Sequence, residues 1–281
     1  MTLRLGVLGG RAHAILGDID APVAVDIAAH TSLPSDPMAC IAQWDNLRAA
    51  VRALEPTQGR AITINELDCP VPAPRQMFAI GLNYRKHAEE MNSQTPSQPL
   101  VFAKFQSSLN SPTGDIRIVS DTTDYESEVI IVISRGGRDI DRARAWEHIA
   151  GLCVGQDVSD RGLQYAGNPP QFSMGKSRQG FSPIGPWVTD MTDNARRDTL
   201  RVQCSINGEL RQNTEITDMI FPIDQIVAHL SSICELYPGD VVYTGSPFGV
   251  GHGMKPPKYL QPGDVIETSL EGVGTMINRC V

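Results

Sequence analysis

The sequence contains no apolar run approaching the ~20 residues that a membrane-spanning helix needs, so no membrane span is predicted. The first ten residues, MTLRLGVLGG, lack the long apolar core and the cleavage site of a signal peptide. Basic residues are also few, because 24 Lys and Arg against 32 Asp and Glu give a net charge of −8. This balance argues against nucleic acid or an anionic membrane as the main partner. We expect a cytoplasmic protein.

Closely spaced cysteine pairs are absent as well. The six cysteines are scattered, with no CxxC pair, at positions 40, 69, 153, 204, 234 and 280. In a chain of this length without a secretion signal, they are expected to be reduced and partly buried. A phosphate-binding loop is also missing, because the spaced glycine that such a loop requires does not precede Gly175-Lys176.

The chain is long enough, at 281 residues, for one large domain or a large and a small one. Residues 1–35 alternate short apolar runs with turns, which is typical of a small β meander. Residues 37–55 have helical apolar spacing and predict one amphipathic helix. The stretch 69–76, CPVPAPRQ, carries three prolines and predicts an extended linker. We therefore predict a small N-terminal domain over 1–72 and a larger domain over 73–281.

Strands outnumber helices in the larger domain. LRVQCSINGELRQ predicts a hairpin that turns at Asn207-Gly208. DRARAWEHIAGLCVGQD predicts a helix that runs into a strand ending on Asp157, and residues 160–182 are expected to be irregular. FPIDQIVAHLSSICEL predicts a helix that ends at Pro238-Gly239. Few strands are separated by a full helix, so we predict an α+β, predominantly β fold rather than a doubly wound sheet.

The most informative stretch is DYESEVIIVIS, residues 124–134, which predicts a strand with Glu126 and Glu128 on one face. Its β-branched remainder indicates burial. Two carboxylates at the rim of a dry sheet repel each other and need a shared proton or a cation. With Asp157 they form a set of hard oxygen ligands that suits Mg²⁺ or Mn²⁺. The alternative is an exposed strand end and a turn residue.

The segment YRKHAEEM places His87 and Glu90 three residues apart. On a helix these side chains share a face, so the carboxylate can orient and stabilise the imidazole. Such a pair can act as a general base toward water, an effect worth about 10²–10⁴ in rate. The alternative is an ordinary surface ion pair on a solvated helix.

Four further side chains are candidates for substrate contact. Lys176 lies in FSMGKSRQGF, a stretch that is equally typical of a surface loop. Arg161 and Gln164 closely follow Asp157 and could grip a substrate carboxylate, or form a salt bridge and a surface amide. Ser246, in TGSPFGVG, offers a hydroxyl on a tight turn, which could equally be only a turn.

The order of these motifs is more specific than any one of them. In sequence they are GLNYRKHAEE, VFAKF, DYESEVIIVIS, AGLCVGQDVSDRGLQ, GKS followed by F-P-I-GPW, INGELRQ, PGDVVYTGSPFGVG and PGDVIET. Over about residues 77–281 this order resembles the fumarylacetoacetate hydrolase family, with a looser likeness in the N-terminal region.

The resemblance implies a mixed β-sandwich roll as the catalytic domain, beside the small N-terminal β/α domain, and a homodimer. It implies Mg²⁺ or Mn²⁺ held at the positions of Glu126, Glu128 and Asp157. His87 and Glu90 match the family's water-activating pair, on a segment that orders over the substrate. Lys176 matches a lysine that polarises substrate oxygens, and the substrate-contact positions are Tyr84, Arg161, Gln164 and Ser246.

Besides a mild change from Thr-Gly-Thr-Pro to Thr-Gly-Ser-Pro, in which Ser246 keeps the hydroxyl, the chain departs from the family pattern at two places near these motifs. Asp160 and Gly162 flank the arginine, where family members often have Ala and Asp. Arg178 and Gln179 follow Lys-Ser, where Phe-Asp is common. Both departures alter charge near the expected pocket and put the family's commonest substrates in doubt.

The resulting hypothesis is a metal-dependent hydrolase that cleaves a C–C bond in a 2,4-dioxo acid such as an acylpyruvate or fumarylpyruvate. Glu90 orients His87, which takes a proton from water, and hydroxide attacks the carbonyl while the cation stabilises the growing charge. The first alternative is a metal-dependent decarboxylase, tautomerase or isomerase of an oxaloacetate-like acid. The second is a catalytically silent binding or scaffold protein.

Overall fold

The computed structural model describes residues 2–281. Within them the strands, in chain order, are β1 Arg4–Leu8, β2 Arg11–Gly17, β3 Pro22–Asp26, β4 Arg60–Ala61, β5 Met77–Gly81, β6 Leu100–Ala103, β7 Leu109–Asn110, β8 Thr123–Asp124, β9 Ser127–Ile133, β10 Ile149–Gln156, β11 Ser159–Asp160, β12 Ser182–Thr189, β13 Arg201–Ile206, β14 Glu209–Glu215, β15 Val241–Tyr243, β16 Val265–Leu270 and β17 Gly274–Arg279. The α-helices are α1 Ile27–His30, α2 Pro37–Ile41, α3 Trp44–Val51, α4 Arg85–Glu90, α5 Arg161–Gln164, α6 Phe172–Gly175 and α7 Ile223–Ile233.

One large mixed sheet organises the molecule, in the order β4-β3-β2-β1-β12-β10-β9-β15-β5-β6, with β7 added beside β12. Most neighbouring strands are antiparallel, but β15 runs parallel to β5. The three central strands, β9, β10 and β12, are buried along their whole length. Continuous rather than alternating apolar character is what a strand covered on both faces requires.

Two cores lie on the opposite faces of this sheet, and β9 contributes to both. Ile130 and Val132 pack with N-terminal residues such as Trp44. Val129 and Ile131 point the other way and pack with residues of α7 and of a second sheet. Alternation of side chains along a strand explains how one apolar run fills two cores.

The second sheet has four antiparallel strands, in the order β14-β13-β16-β17. Its β13–β14 hairpin turns at Asn207 and Gly208, with φ of 52° and 78°, as predicted from the Asn-Gly pair. The predicted helix after residue 221 is also present, as α7, although it ends at Ile233 rather than at Pro238-Gly239. The prediction of an α+β, predominantly β fold is confirmed, since two sheets enclose a core to which a few helices contribute.

Some element boundaries differ from those predicted. The helix predicted over 37–55 is two helices, α2 and α3, because Gln43 leaves helical geometry at φ −116° and ψ 36°. The helix predicted before β10 is a 3-10 helix over Arg142–His148. Residues 160–182, predicted to be irregular, contain the short helices α5 and α6. These differences are local and leave the sheet order unchanged.

The N-terminal region is continuous with the main sheet, since β1 pairs antiparallel with β12 and Leu5 belongs to the same core as Val132. The domain boundary at residue 72 stays a prediction. All six cysteines are free thiols, as expected. Over residues 2–281, the helices fall short of the length and apolar character that crossing a membrane demands.

Candidate active site

Three acidic side chains converge where β9 and β10 meet. Glu126 lies just before β9, Glu128 lies on it, and Asp157 follows β10 directly. The antiparallel register pairs Gly155 with Glu128, and the amide of Asp157 donates to the carbonyl of Glu126 at 2.8 Å. As a result, one oxygen from each of the three buried carboxylates lies within 4.8 Å of the others. The structure therefore brings the predicted ligand set together, although the observed strand begins at Ser127 rather than at residue 124 and so leaves Glu126 outside it.

Two buried lysines bind this acidic group. Lys176 Nζ lies 2.7 Å from Glu126 Oε2 and 2.7 Å from Asp157 Oδ2. Lys104 Nζ donates to the other oxygen of Asp157 and also to the carbonyl of Lys176, at 2.5 Å. The two ammonium groups therefore neutralise Asp157 and part of the charge on Glu126.

The charge on Glu126 is further stabilised by Arg161, whose Nη2 lies 2.6 Å from Oε1. Burial alone raises the pKa of Glu126, but the charges of Lys176 and Arg161 outweigh burial and lower the pKa to about 2. This carboxylate is therefore ionised at neutral pH.

Glu128 is in the opposite situation. It accepts a hydrogen bond from the amide of Gly245 at 2.6 Å, but no Lys, Arg or His among residues 2–281 forms a salt bridge with it. Burial, and then the nearby charges of Asp157 and Glu126, raise its pKa well above the ordinary value. A cation among the three carboxylates would remove this repulsion. The donor set, three buried carboxylate oxygens within 4.8 Å of one another, fits Mg²⁺ or Mn²⁺.

The predicted acid–base pair is formed on α4. His87 Nδ1 lies 2.9 Å from Glu90 Oε2, and Glu90 Oε1 accepts from the amide of Gly249 at 3.0 Å. His87 is buried and Glu90 is mostly covered. With Nδ1–H donated to the carboxylate, Nε2 is the unprotonated nitrogen of the neutral ring. The surface-pair alternative does not describe this buried arrangement.

Arg161 and Gln164 lie on α5 and bind each other, Nη1 to Oε1, at 3.0 Å. Arg161 is anchored by Asp124 through Nε at 2.9 Å and Nη2 at 2.7 Å. Asp124 is held in turn by the amides of Gly251 and His252. Of the five N–H groups of Arg161, one on Nη1 remains after these contacts, so the guanidinium keeps a donor for a substrate oxygen.

Ser246 and Tyr84 differ in their access to the site. Ser246 Oγ accepts from Gln212 Nε2 at 2.9 Å and belongs to the turn whose Gly245 has φ of 101°. A Cβ on Gly245 would lie 2.7 Å from that of Asn83, so the turn requires glycine. Tyr84 is fully buried in the core, and its hydroxyl has no hydrogen-bond partner within residues 2–281. Tyr84 is not among the residues that line the cavity beside the carboxylates.

A cavity of about 210 Å³ opens beside the carboxylates. Seven of the ten predicted site residues line it, namely His87, Glu126, Asp157, Arg161, Gln164, Lys176 and Ser246. The other three, Tyr84, Glu90 and Glu128, are not among the residues that line it. A larger groove of about 780 Å³ lies between the N-terminal strands and the second sheet and contains none of them. Convergent charged groups therefore identify the smaller cavity as the candidate site.

The structure adds residues that sequence reasoning missed. One of them is Lys104, which directly follows the apolar strand β6. A lone lysine at the end of an apolar run is the sequence feature that indicates a buried cation at this position. Asp124, the first residue of DYESEVIIVIS, anchors Arg161, a role that the strand pattern does not indicate. Phe102 and Phe172, with ring centroids 5.5 Å apart and an interplanar angle of 74°, form an aromatic part of the cavity wall.

Comparison with known proteins agrees with this geometry. The chain is 33% identical over 254 residues to a mitochondrial oxaloacetate tautomerase of Bos taurus, covering 89% of this chain and 81% of the relative. A protein of Mycobacterium smegmatis, whose crystal structure was solved under the name HpcE, is 40% identical to this chain, with a TM-score of 0.89 over 99% of both chains. Maleylpyruvate hydrolase of a Sphingobium species, solved with manganese(II) and pyruvate, is 26% identical, with a TM-score of 0.81 over 99% of this chain and 98% of that one.

The sequence profile for the Fumarylacetoacetate (FAA) hydrolase C-terminal family matches residues 76–281, which is most of the chain. The predicted resemblance is confirmed, and the chain belongs to the fumarylacetoacetate hydrolase family.

Proposed function

We propose that the protein is a Mg²⁺- or Mn²⁺-dependent enzyme that interconverts the keto and enol forms of a small 2-oxo acid, with oxaloacetate as the favoured substrate. The observation that carries this proposal is the position of His87. Its imidazole is held at Nδ1 by Glu90 at 2.9 Å and lines the same cavity as Glu126 and Asp157. A base held next to a cluster of charged groups is what proton transfer at a carbon beside a carbonyl requires.

The three carboxylates Glu126, Glu128 and Asp157 would hold the divalent cation. When bound, the cation supplies positive charge that favours the enolate form of a 2-oxo acid. Manganese in the solved maleylpyruvate hydrolase supports this assignment.

The remaining steps belong to side chains of the chain itself. Nε2 of His87 takes a proton from carbon 3 of the keto acid, and the oxygen of the resulting enolate takes a proton from solvent to complete the enol. In the reverse direction the enol loses its O–H proton to solvent and His87 returns a proton to carbon 3. Lys176 uses two of its three N–H donors on Glu126 and Asp157, so one remains for a substrate oxygen on which charge grows. The free N–H of Arg161 offers a second donor to the substrate.

The size of the cavity favours a small substrate. Ligand pockets usually measure ~300–1,000 Å³, whereas this one is about 210 Å³. A four-carbon acid suits this space better than a long acylpyruvate. Similarity to oxaloacetate tautomerases over 89% of the chain supports the same choice. The cavity size and this similarity together favour a tautomerase over a hydrolase, although the sequence motifs alone favour the hydrolase.

The test follows the loss of enol absorbance of oxaloacetate with Mg²⁺ or Mn²⁺ present, using the wild-type protein and a His87→Ala variant. We expect the wild type to accelerate the change far above the spontaneous rate and the variant to lose most of that acceleration. Parallel measurement of pyruvate separates decarboxylation from tautomerisation. A wild type that leaves the spontaneous rate unchanged rules the proposal out.

Hydrolysis of a 2,4-dioxo acid is the second candidate, supported by similarity to maleylpyruvate hydrolase and by the same His87–Glu90 pair. Here Nε2 of His87 would take its proton from water rather than from carbon. Reaction of acylpyruvates in H₂¹⁸O distinguishes the two, because only hydrolysis places label in the released carboxylic acid.

Two broader expectations accompany this proposal. The protein would act as a homodimer in the cytoplasm on small 2-oxo or 2,4-dioxo acids. Sedimentation of the purified protein at several concentrations tests the dimer, and fractionation of cells tests the location.

A further inference from the structure

Two separate segments supply the Lys and Arg side chains that line the cavity. The first is α5, which carries Arg161 and Gln164, and the second is residues 172–178, which carry Lys176. Their backbones touch at Gly175, where a Cβ would lie 2.8 Å from the backbone nitrogen of Gln164 and 3.0 Å from the carbonyl oxygen of Asp160. Any shift between these segments would change the separation of Arg161 and Lys176.

An ion pair joins the same two segments next to this contact. Arg178 lies two residues after Lys176, and its Nε and Nη2 donate to Asp160 Oδ2 at 3.2 and 2.8 Å. Asp160 directly precedes Arg161, and its carboxylate is almost completely buried, although the Arg178 side chain is 44% exposed. Burial of one partner limits the solvent screening that weakens pairs on open surfaces.

The second carboxylate oxygen of Asp160 caps the helix α5. Oδ1 accepts from the amide of Leu163 at 3.3 Å, which caps α5, and from Ser120 Oγ at 3.1 Å. One carboxylate therefore fixes the start of the helix that carries Arg161 and, through Arg178, the segment that carries Lys176. Neither Asp160 nor Arg178 is among the residues that line the cavity.

We propose that Asp160 and Arg178 form a positioning pair that sets the distance between the substrate-binding donors of Arg161 and Lys176. Both donors must reach oxygens of one small acid, so a displacement of either weakens substrate binding. The pair acts through these neighbours and does not touch the substrate. This inference rests on the proposed function for its kinetic readout.

The test is a double-mutant cycle with Asp160→Asn, Arg178→Met and the double variant. Asparagine keeps the helix cap and removes the charge, and methionine keeps an apolar stem without the guanidinium. We expect each single change to raise KM for the turned-over 2-oxo acid by about fivefold, with a smaller effect on kcat. The double variant should be no worse than the worse single variant, because the two changes break one interaction.

The matched control is Arg196→Met, which breaks the exposed Arg196–Glu271 ion pair of 2.8 Å away from the cavity. It should leave KM unchanged. Arg178→Lys, which keeps a positive charge, should recover part of the lost affinity. Single effects that multiply in the double variant, or a KM that stays at the wild-type value in both single variants, overturn the inference.

A second readout does not depend on turnover. Amide hydrogen exchange of residues 161–176, measured in the protein without substrate, should accelerate in Asp160→Asn and Arg178→Met but not in Arg196→Met. If the wild type turns over no 2-oxo acid, the proposed function fails while this readout still decides whether the pair holds the two segments. Unchanged exchange in both variants counts against the pair.

Discussion

Lys104 and Lys176 bind opposite oxygens of a single carboxylate, that of Asp157. Lys176 Nζ lies 2.7 Å from Oδ2, and Lys104 Nζ donates to Oδ1. All three side chains are buried. Because Lys104 also donates to the carbonyl of Lys176 at 2.5 Å, the two lysines form one connected group around the acid. Charge balance in this dry site therefore depends on both lysines.

Replacing Lys104 by methionine should lower the free energy of unfolding by about 3 kcal/mol, because a buried partner of Asp157 is lost. Urea denaturation of the protein without metal measures this change. The control is Arg135→Met, which breaks the exposed Arg135–Asp45 pair and should change stability by no more than ~0.5 kcal/mol. A Lys104→Met variant as stable as the wild type would show that Lys176 alone neutralises Asp157.

Glu126 and Glu128 should respond in opposite directions when each is changed to glutamine in the metal-free protein. Glu126 forms ion pairs with Lys176 and Arg161, so its variant should lose about 3 kcal/mol of stability. Glu128 is buried without a salt bridge among the described residues, so Glu128→Gln should gain about 1 kcal/mol by removing repulsion. Both variants should lose Mg²⁺ binding by calorimetry. Equal destabilisation by the two changes, or retained Mg²⁺ binding, contradicts the assignment.

His87→Ala should lower kcat by about 10²–10⁴-fold while the affinity for Mg²⁺ stays near the wild-type value, since the imidazole is the base and not a ligand. Glu90→Gln should lower kcat less. The amide oxygen of glutamine still accepts a hydrogen bond from Nδ1–H of His87 but no longer stabilises the positive charge of the imidazolium. Steady-state kinetics and metal titration of the same preparations measure both. An unchanged kcat in His87→Ala removes this residue from the mechanism.

The carboxylate cluster could be predicted because its members lie at strand ends. Glu126, Glu128 and Asp157 flank two apolar runs. The limits of an apolar run in the sequence indicate where the strand begins and ends. The pairing of β9 with β10 then brings these ends together. The His87–Glu90 pair could also be predicted from the sequence, since an i, i+3 spacing on a helix is a local property.

Lys104 and the Asp160–Arg178 pair could not be predicted in the same way. Lys104 is 53 residues from Asp157 in sequence, and no local pattern gives a contact of that separation. In the sequence, Asp160 and Arg178 stand out only as departures from the family pattern that alter charge. In the structure these two positions contact each other, because the carboxylate of Asp160 binds the guanidinium of Arg178 at 2.8 Å. Such a coupling depends on how α5 and α6 pack, which periodicity does not specify.

The close approach of these two helices can be tested by adding a single methyl group. Gly175→Ala would place its Cβ 2.8 Å from the backbone nitrogen of Gln164, so α6 must move away from α5. We expect a loss of about 1–3 kcal/mol in stability and a rise in KM, because residues 172–178, which carry Lys176, move with α6.

Gly167→Ala is the matched control, since its Cβ would approach no closer than 3.4 Å to its nearest neighbour, the carbonyl oxygen of Pro169. Denaturation and steady-state kinetics should leave the control near the wild type. If Gly175→Ala lowers stability but leaves KM unchanged, then the backbone contact supports the fold without setting the position of Lys176.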